Sequence, residues 1–276
     1  MSTIVLTGAS DGIGAAAAAL LTRDGHRLFL VGRSEDKLAL VADKLKPAGA
    51  FVADYERLDD VRRLAAEIRA ATDHIDVLAN NAGGIFDGPQ ETIDGFERTF
   101  QVNHLAAFLL THELMDVLLA SHASVVNTAS LAAQMAGHVD LGDIDGFRHF
   151  SSFTAYGTSK LANILFTRGL HARFHHDGLS AVAFHPGNIA SNFGASTSSV
   201  LRMAYHTVIR GFMAGPIAGG RNLVHFVEGT PGEDWQSGQY YGSRRRIART
   251  SSQAYDDELV ELFWDASARL LGVQRD

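Results

Sequence analysis

Thr7-Gly8-Ala9-Ser10-Asp11-Gly12-Ile13-Gly14 joins a short apolar run at the start of the chain to an alanine-rich segment. The run at 4–7 reads as a strand and 12–24 as a helix. Without side chains, Gly8, Gly12 and Gly14 permit a tight turn and let backbone N–H groups approach a pyrophosphate. The amino terminus of the following helix favours the negative charge. Ser10, Asp11 and Ile13 complete this candidate cofactor turn. The spacing Gly-x-x-x-Gly-x-Gly is one glycine displaced from the commoner dinucleotide fingerprint. A plain strand–helix connection has the same composition. The place of the turn directly after an N-terminal strand favours the dinucleotide.

Outward from the turn, short β-branched or leucine-rich runs alternate with helical stretches. Strands are expected at 27–32, 50–53, 75–80, 124–128 and 180–185. Helices are expected at 35–45, 58–70, 94–119, 154–176 and 251–271. Strands that lack polar alternation and are separated by helices imply a parallel sheet covered on both faces. The fold class is therefore α/β, a Rossmann-type doubly wound sheet forming a single domain over 1–276. Residues 1–130 form the mainly cofactor-binding half and 131–276 the catalytic and substrate-binding half. The irregular stretches 131–152 and 188–220 follow strands at their carboxyl ends, where ligands bind in such sheets. The second carries Phe193, Leu201, Met203, Tyr205, Val208, Ile209, Phe212 and Met213. That stripe reads either as a lid over an apolar pocket or as the core-facing side of a helix.

The 276 residues are 46% hydrophobic and 20% charged, an ordinary globular balance. A net charge of -7 without a long basic run leaves no footprint for nucleic acid or an anionic membrane. Arg244-Arg245-Arg246 reads as a solvated turn. The absence of cysteine excludes disulfides, thiol catalysis and thiolate metal sites. No apolar run is long enough to span a bilayer, so no membrane anchor and a cytoplasmic location are expected. His171 and His175 have the i, i+4 spacing of a ligand pair, but no third ligand recurs and no metal site is expected. His138, His149 and His185 fall near the expected pocket.

The end of the second expected strand bears on the choice of dinucleotide. An acidic residue there would hold the ribose 2′-hydroxyl of NAD, whereas a guanidinium suits a 2′-phosphate. Here the sequence is Gly32-Arg33-Ser34, so Arg33 is a candidate phosphate clamp, and NADP(H) is expected in preference to NAD(H). An ordinary surface arginine is the alternative. Asp54 and Tyr55 follow the third strand, where Asp54 reaches the adenine edge or caps the next helix. Asn80-Asn81-Ala82-Gly83 ends the fourth strand. Its paired amides need partners and serve either to stitch strands or to contact the cofactor. Downstream, Tyr156-Gly157-Thr158-Ser159-Lys160 puts a phenol and an ammonium on one helical face. The cation favours the phenolate and eases movement of its proton.

In order and spacing these segments resemble the short-chain dehydrogenase/reductase family. The resemblance rests on Thr7 through Gly14, Asn80 through Gly83, Ser130, Tyr156 with Lys160, and Pro186-Gly187. Ser130 and Tyr156 stand 26 positions apart (130 to 156), about twice the family's usual gap. With Lys160-Leu161-Ala162-Asn163, His185-Pro186-Gly187 and Ser237-Gly238-Gln239-Tyr240-Tyr241, this is similar to the retinol dehydrogenase-like branch. The resemblance implies hydride transfer between a nicotinamide and a carbonyl/alcohol pair. Tyr156 becomes the general acid or base, and Lys160 lowers the phenol pKa and bonds the nicotinamide ribose. Ser130 holds the substrate oxygen, and Asn103 holds a water that links the lysine to solvent. Asn81, Ala82, Gly83, Pro186, Gly187, Ile189 and Ser191 line the cofactor, Ser191 standing where a threonine is more usual. Read as a lid, the stripe from Phe193 to Met213 suggests a small-molecule partner that is a bulky, hydrophobic ketone, aldehyde or secondary alcohol, with reduction the expected direction if NADPH is the cofactor. A homodimer through the helices at 94–119 and 154–176 is also implied. An NAD-linked alcohol dehydrogenase and a non-catalytic dinucleotide sensor of the same fold are the rival readings.

Overall fold

The computed structural model describes residues 1–148, 150–187 and 215–274. Seven strands form one wholly parallel sheet: β1 (Thr3–Thr7), β2 (Arg27–Gly32), β3 (Gly49–Val52), β4 (Val77–Asn80), β5 (Ser124–Thr128), β6 (Ser180–Phe184) and β7 (Tyr240–Tyr241). Their order across the sheet is β3-β2-β1-β4-β5-β6-β7. The chain therefore winds one way from β1 to β3 and the other way from β4 onward. A crevice opens where the order reverses, beyond the carboxyl ends of β1 and β4.

Alternation within the strands builds two cores. Val5, Phe29, Val31, Leu78, Val125, Ala181 and Ala183 face one side. Ile4, Leu6, Leu28, Leu30, Ala79, Val126, Val182 and Phe184 face the other. All are buried, as a sheet covered on both faces requires. The second face is covered by α1 (Gly12–Arg23), α2 (Glu35–Leu45) and α9 (Pro216–Glu228). The first is covered by α3 (Leu58–Ala71), α5 (Ala106–Glu113), α8 (Ser152–Phe174) and α10 (Asp257–Leu271).

The helix expected at 94–119 is broken. Gly95 takes φ +85°, and Glu97 caps a start delayed to α4 (Arg98–Phe100) by accepting from Phe100 N at 2.9 Å. A π-helical turn (Gln101–Leu105) leads into α5, and α6 (Met115–Ala120) follows a break at Leu114. The stretch 131–152 contains α7 (Ala132–Met135), and α9 begins inside the expected 188–220 segment. β3 starts one residue earlier than expected, because Phe29 pairs with Gly49. Residues 155–167 of α8 and 106–111 of α5 are buried, and Trp264 of α10 lies against Gly169.

Candidate active site

The β1–α1 turn is shaped by missing side chains. Gly8 and Gly12 take φ of +67° and +55°, a region that L side chains avoid. A Cβ on Gly8 would sit 2.9 Å from Ala82 Cα, and one on Gly14 would overlap the Gly8 carbonyl oxygen. The first turn of α1 carries no acid, although its cap Asp11 accepts from Gly12 N at 2.7 Å. The Thr7 hydroxyl binds this turn to the end of β4. It donates to Ala79 O at 3.2 Å and accepts from Asn81 N and Ala82 N at 2.9 and 3.0 Å. The Asn81 amide donates to Thr7 O and accepts from Thr128 Oγ1.

The two neighbouring asparagines divide the work. Asn81 faces the crevice. Asn80 points into the sheet, where its amide donates to Asn127 Oδ1 and Thr111 Oγ1, and Asn127 passes the link to Thr167. Tyr55 turns its ring into the main core, and burial pushes its phenol pKa up. Asp54 organises its own turn by accepting from Glu56 N, while its N–H donates to Asp60. At the tip of β2 the Ser10 hydroxyl stands 2.9 Å from where a Gly32 Cβ would lie. Arg33 is exposed and bonds Glu56 Oε1 at 3.2 Å, an oxygen that also takes Arg98 at 2.6 Å. Lys37 pairs with Asp11 at 2.7 Å.

On the far side of the crevice, α8 presents Tyr156 and Lys160. The ammonium lies 5.7 Å from the tyrosine ring centroid and donates to Thr128 O at 3.1 Å. Lys160 is 1% exposed, and burial lowers its pKa to about 8. Tyr156 packs with Ile85 and Ala132. That contact brings in the Ser130 arm, because Ser130 Oγ accepts from Ala132 N at 3.2 Å. The arm is seated by two glycines. A Cβ on Gly157 would meet Ala132 O at 2.8 Å, and Gly137 would collide with the same helix pair. Thr158 locks the exit of the arm by donating to His138 O.

Asn103 sits at the centre of the π turn and is buried. Its oxygen accepts from Gly84 N at 2.7 Å. Its two amide hydrogens go to Gly84 O at 2.9 Å and Ser159 Oγ at 3.0 Å. Both donors are therefore engaged by protein, and the side chain ties the β4 loop to α8. A Cβ on Gly83 would lie 2.5 Å from Asn103 Oδ1 and 3.3 Å from Lys160 Nζ, so Gly83 leaves room for both.

His185 lies on a cavity of about 260 Å³ with Leu131, Gln134, Tyr240, Ser243 and Arg249. Burial lowers its pKa to about 4, so the ring is neutral. Pro186 and Gly187 follow it, with Gly187 at φ +106°. Ile189, Ser191, His149 and the stripe from Phe193 to Met213 lie outside the described residues. Among the described residues there is no cluster of three metal-ligating side chains, and no helix is long and apolar enough to cross a membrane. His171 and His175 stack at 4.6 Å, with their Nδ1 atoms bonded to Ser237 and Leu179 O.

Sequence reasoning did not single out Thr128 O, Ser159, Gly137 or Gly157. Ser159 stands inside the Tyr-x-x-x-Lys segment and was the most accessible of these. The others become visible only when α7, α8 and β5 are assembled.

These residues fit a dinucleotide. The bare turn and the amino end of α1 suit a pyrophosphate, Arg33 and Lys37 bring cations to the β2 tip, and Gly83 opens space beside Lys160. A short chain dehydrogenase family model matches residues 2–201. A Streptomyces sp. (strain C5) protein named as a daunorubicin C-13 ketoreductase, DnrU, is 37% identical, over 98% of this chain and 92% of its own length. Human retinol dehydrogenase 11 is 34% identical, over 99% and 86%. A crystal structure of an uncharacterized protein from Mycobacterium paratuberculosis superposes with a TM-score of 0.80 at 27% identity, covering 100% of this chain and 95% of that one. With the parallel sheet and the ordered motifs along it, these likenesses establish that the chain belongs to the short-chain dehydrogenase family of oxidoreductases, akin to its retinol dehydrogenase-like branch.

Proposed function

We propose that this protein is an NADP(H)-dependent oxidoreductase that interconverts a carbonyl and an alcohol, working chiefly as a reductase of a bulky hydrophobic ketone or aldehyde. The observation that carries the reading is the buried Lys160 ammonium beside the Tyr156 ring, tied to the β4 loop through Asn103 and Ser159. A sensor of dinucleotide would have no use for a buried cation beside a tyrosine ring. When bound, the nicotinamide supplies the hydride. Tyr156 gives its hydroxyl proton to the substrate oxygen, and the Lys160 charge stabilises the phenolate that remains. Ser130 donates to the same oxygen, so developing charge meets a fixed donor. Asn103 acts by position, since both of its amide hydrogens are committed.

Arg33 and Lys37 supply the cations for a 2′-phosphate, and the turn residues Gly8, Ser10, Gly12, Ile13 and Gly14 receive the pyrophosphate. Asn81, Ala82, Gly83, Pro186 and Gly187 complete the cradle. Apolar side chains stand exposed along the Ser130 arm: Leu131, Met135, Leu141, Phe147 and Phe153. These exposed apolar groups, Leu131 among them on the His185 cavity, and relatives named for daunorubicin and retinol support a large apolar substrate. A site of cytoplasmic action is part of the same reading.

The test is turnover of purified protein, followed by reduced-nicotinamide absorbance, over a panel of polycyclic ketones and long-chain aldehydes with NADPH and NADH. The expected result is a higher kcat/KM with NADPH. Tyr156→Phe is expected to lower kcat about 10³-fold while leaving NADPH affinity unchanged. Preference for NADH, or wild-type turnover by the Tyr156 variant, would refute the assignment.

A further inference from the structure

The π turn presents two consecutive polar residues in different directions. Asn103 reaches the β4 loop and Ser159, whereas His104 is fully buried among the rings of Phe100, Phe108, Phe166 and Phe263, with centroids 5.0 to 6.1 Å away. Apolar packing alone would be served better by phenylalanine, because an imidazole must find partners for two nitrogens. Nε2 meets Ser267 Oγ of α10 at 3.0 Å. Nδ1 completes no hydrogen bond of normal geometry, and neither does Asn163 Oδ1 on α8. These two leftover atoms match, one a donor and one an acceptor, and the Asn163 side chain acts on His104 by raising its pKa against the stronger effect of burial. The other end of the Asn163 amide donates to Thr128 O at 3.3 Å, the carbonyl that also receives Lys160 Nζ at 3.1 Å.

We infer that Ser267, His104 and Asn163 form a positioning chain that runs from the carboxyl-terminal helix to Thr128 O and fixes how that carbonyl is shared with Lys160. The imidazole carries its hydrogen on Nδ1 and directs it to Asn163 Oδ1, while Nε2 accepts from Ser267. Held this way, Asn163 turns its acceptor away from the lysine and its donor onto the lysine's own acceptor. Both effects withhold stabilisation from the ammonium. The His104 pKa, lowered to about 3, keeps the ring neutral and the arrangement intact across the working range. Among the described residues, the titratable groups seen to interact with Lys160 are Tyr156 on its own helix and His104 on the π turn.

The inference rests on Lys160 serving Tyr156 as proposed above, but its test reads the lysine directly. Lysine side chains labelled with ¹³C at Cε report the Lys160 titration by NMR, with turnover measured in parallel. In the wild type the midpoint is expected near the value of about 8 that burial imposes. His104→Phe keeps the ring packing and removes both the Ser267 hydrogen bond and the Nδ1 donor that the inference directs at Asn163. It should fold, raise the Lys160 midpoint by about one pH unit as Asn163 Oδ1 turns toward the ammonium, and lower kcat about fivefold with KM for NADPH unchanged. His104→Asn restores a donor near the Nδ1 position and should recover most of both losses. Ser267→Ala, the milder variant if His104→Phe does not fold, should move the midpoint upward by a smaller step. An unchanged or lowered Lys160 midpoint in the folded variants overturns the chain. Absence of turnover in the wild type would instead count against the proposed function and leave the titration result standing.

Discussion

The β1–α1 turn and the contact between the π turn and α8 flank the same crevice, yet they are built by opposite means. The turn is defined by atoms that are absent. Gly8, Gly12 and Gly14 bring backbone against backbone, and one hydroxyl, that of Thr7, sews the seam. The α8 side is defined by polar atoms that are present and buried: Asn103, Ser159, Lys160, Asn163 and His104. The first arrangement fails by collision and the second by an orphaned group, so the two sides should respond differently to substitution.

The largest effect is expected at the turn. Gly14→Ala drives a methyl into the Gly8 carbonyl and should destabilise the protein by about 3 kcal/mol in urea titrations, with loss of the thermal shift on adding NADPH. A stability within experimental error of wild type would erase the contrast.

Next comes Lys160→Met, where the α8 side should gain stability as the proposed activity is lost. The folded lysine titrates near 8 and the unfolded one near 10.5. Between those values the unfolded chain holds more protons, so wild-type stability rises with pH through that window. Below it the cost of burying the ammonium is complete. The variant is expected to be more stable by about 2 kcal/mol at pH 7, with the advantage closing by about pH 10.5. Chemical denaturation across that range checks both the sign and the window.

Gly157→Ala belongs to the α8 side but fails by collision, and so sharpens the comparison. Its methyl meets Ala132 O at 2.8 Å and should prise α7 from α8 at about 2 kcal/mol. Because Ser130 leads into α7, kcat should fall more than NADPH affinity. The smallest effect is expected for Ser159→Ala, which removes one acceptor from Asn103 Nδ2. About 1 kcal/mol of stability and a few-fold reduction in kcat are expected, measured by thermal unfolding and steady-state kinetics.

The two sides also differed in how far they could be read in advance. A turn made by glycines announces itself, since few other reasons place three of them after a strand. The adjacent asparagines announced a need for partners but not their division of labour. Asn81 belongs to the crevice and Asn80 to a ladder through Asn127 and Thr167 that exists only when β4, β5 and α8 are side by side. The helix expected at 94–119 concealed the π turn, because residues 101–105 are all buried, polar Gln101, Asn103 and His104 included, so one inserted residue shifts no exposed face that a sequence pattern would register. β7 has two residues and becomes a strand only by pairing with Ala183 and Phe184.

From its residues alone this chain fixed a parallel doubly wound sheet, a dinucleotide turn at its first strand and a tyrosine–lysine pair on one helical face. The turn and the pair depend on contacts within a few positions of the chain, where spacing translates directly into geometry. The sheet shows itself through alternating strand and helix periods, although its pairings, such as Ile4 with Val77, are long-range. The tertiary structure alone decided that Lys160 loses its water, that Asn103 spends both donors on protein, and that a histidine from the π turn and a serine from the last helix meet in the core. Burial and long-range pairing belong to the assembled chain, because the groups involved stand tens of residues apart until the sheet closes around them.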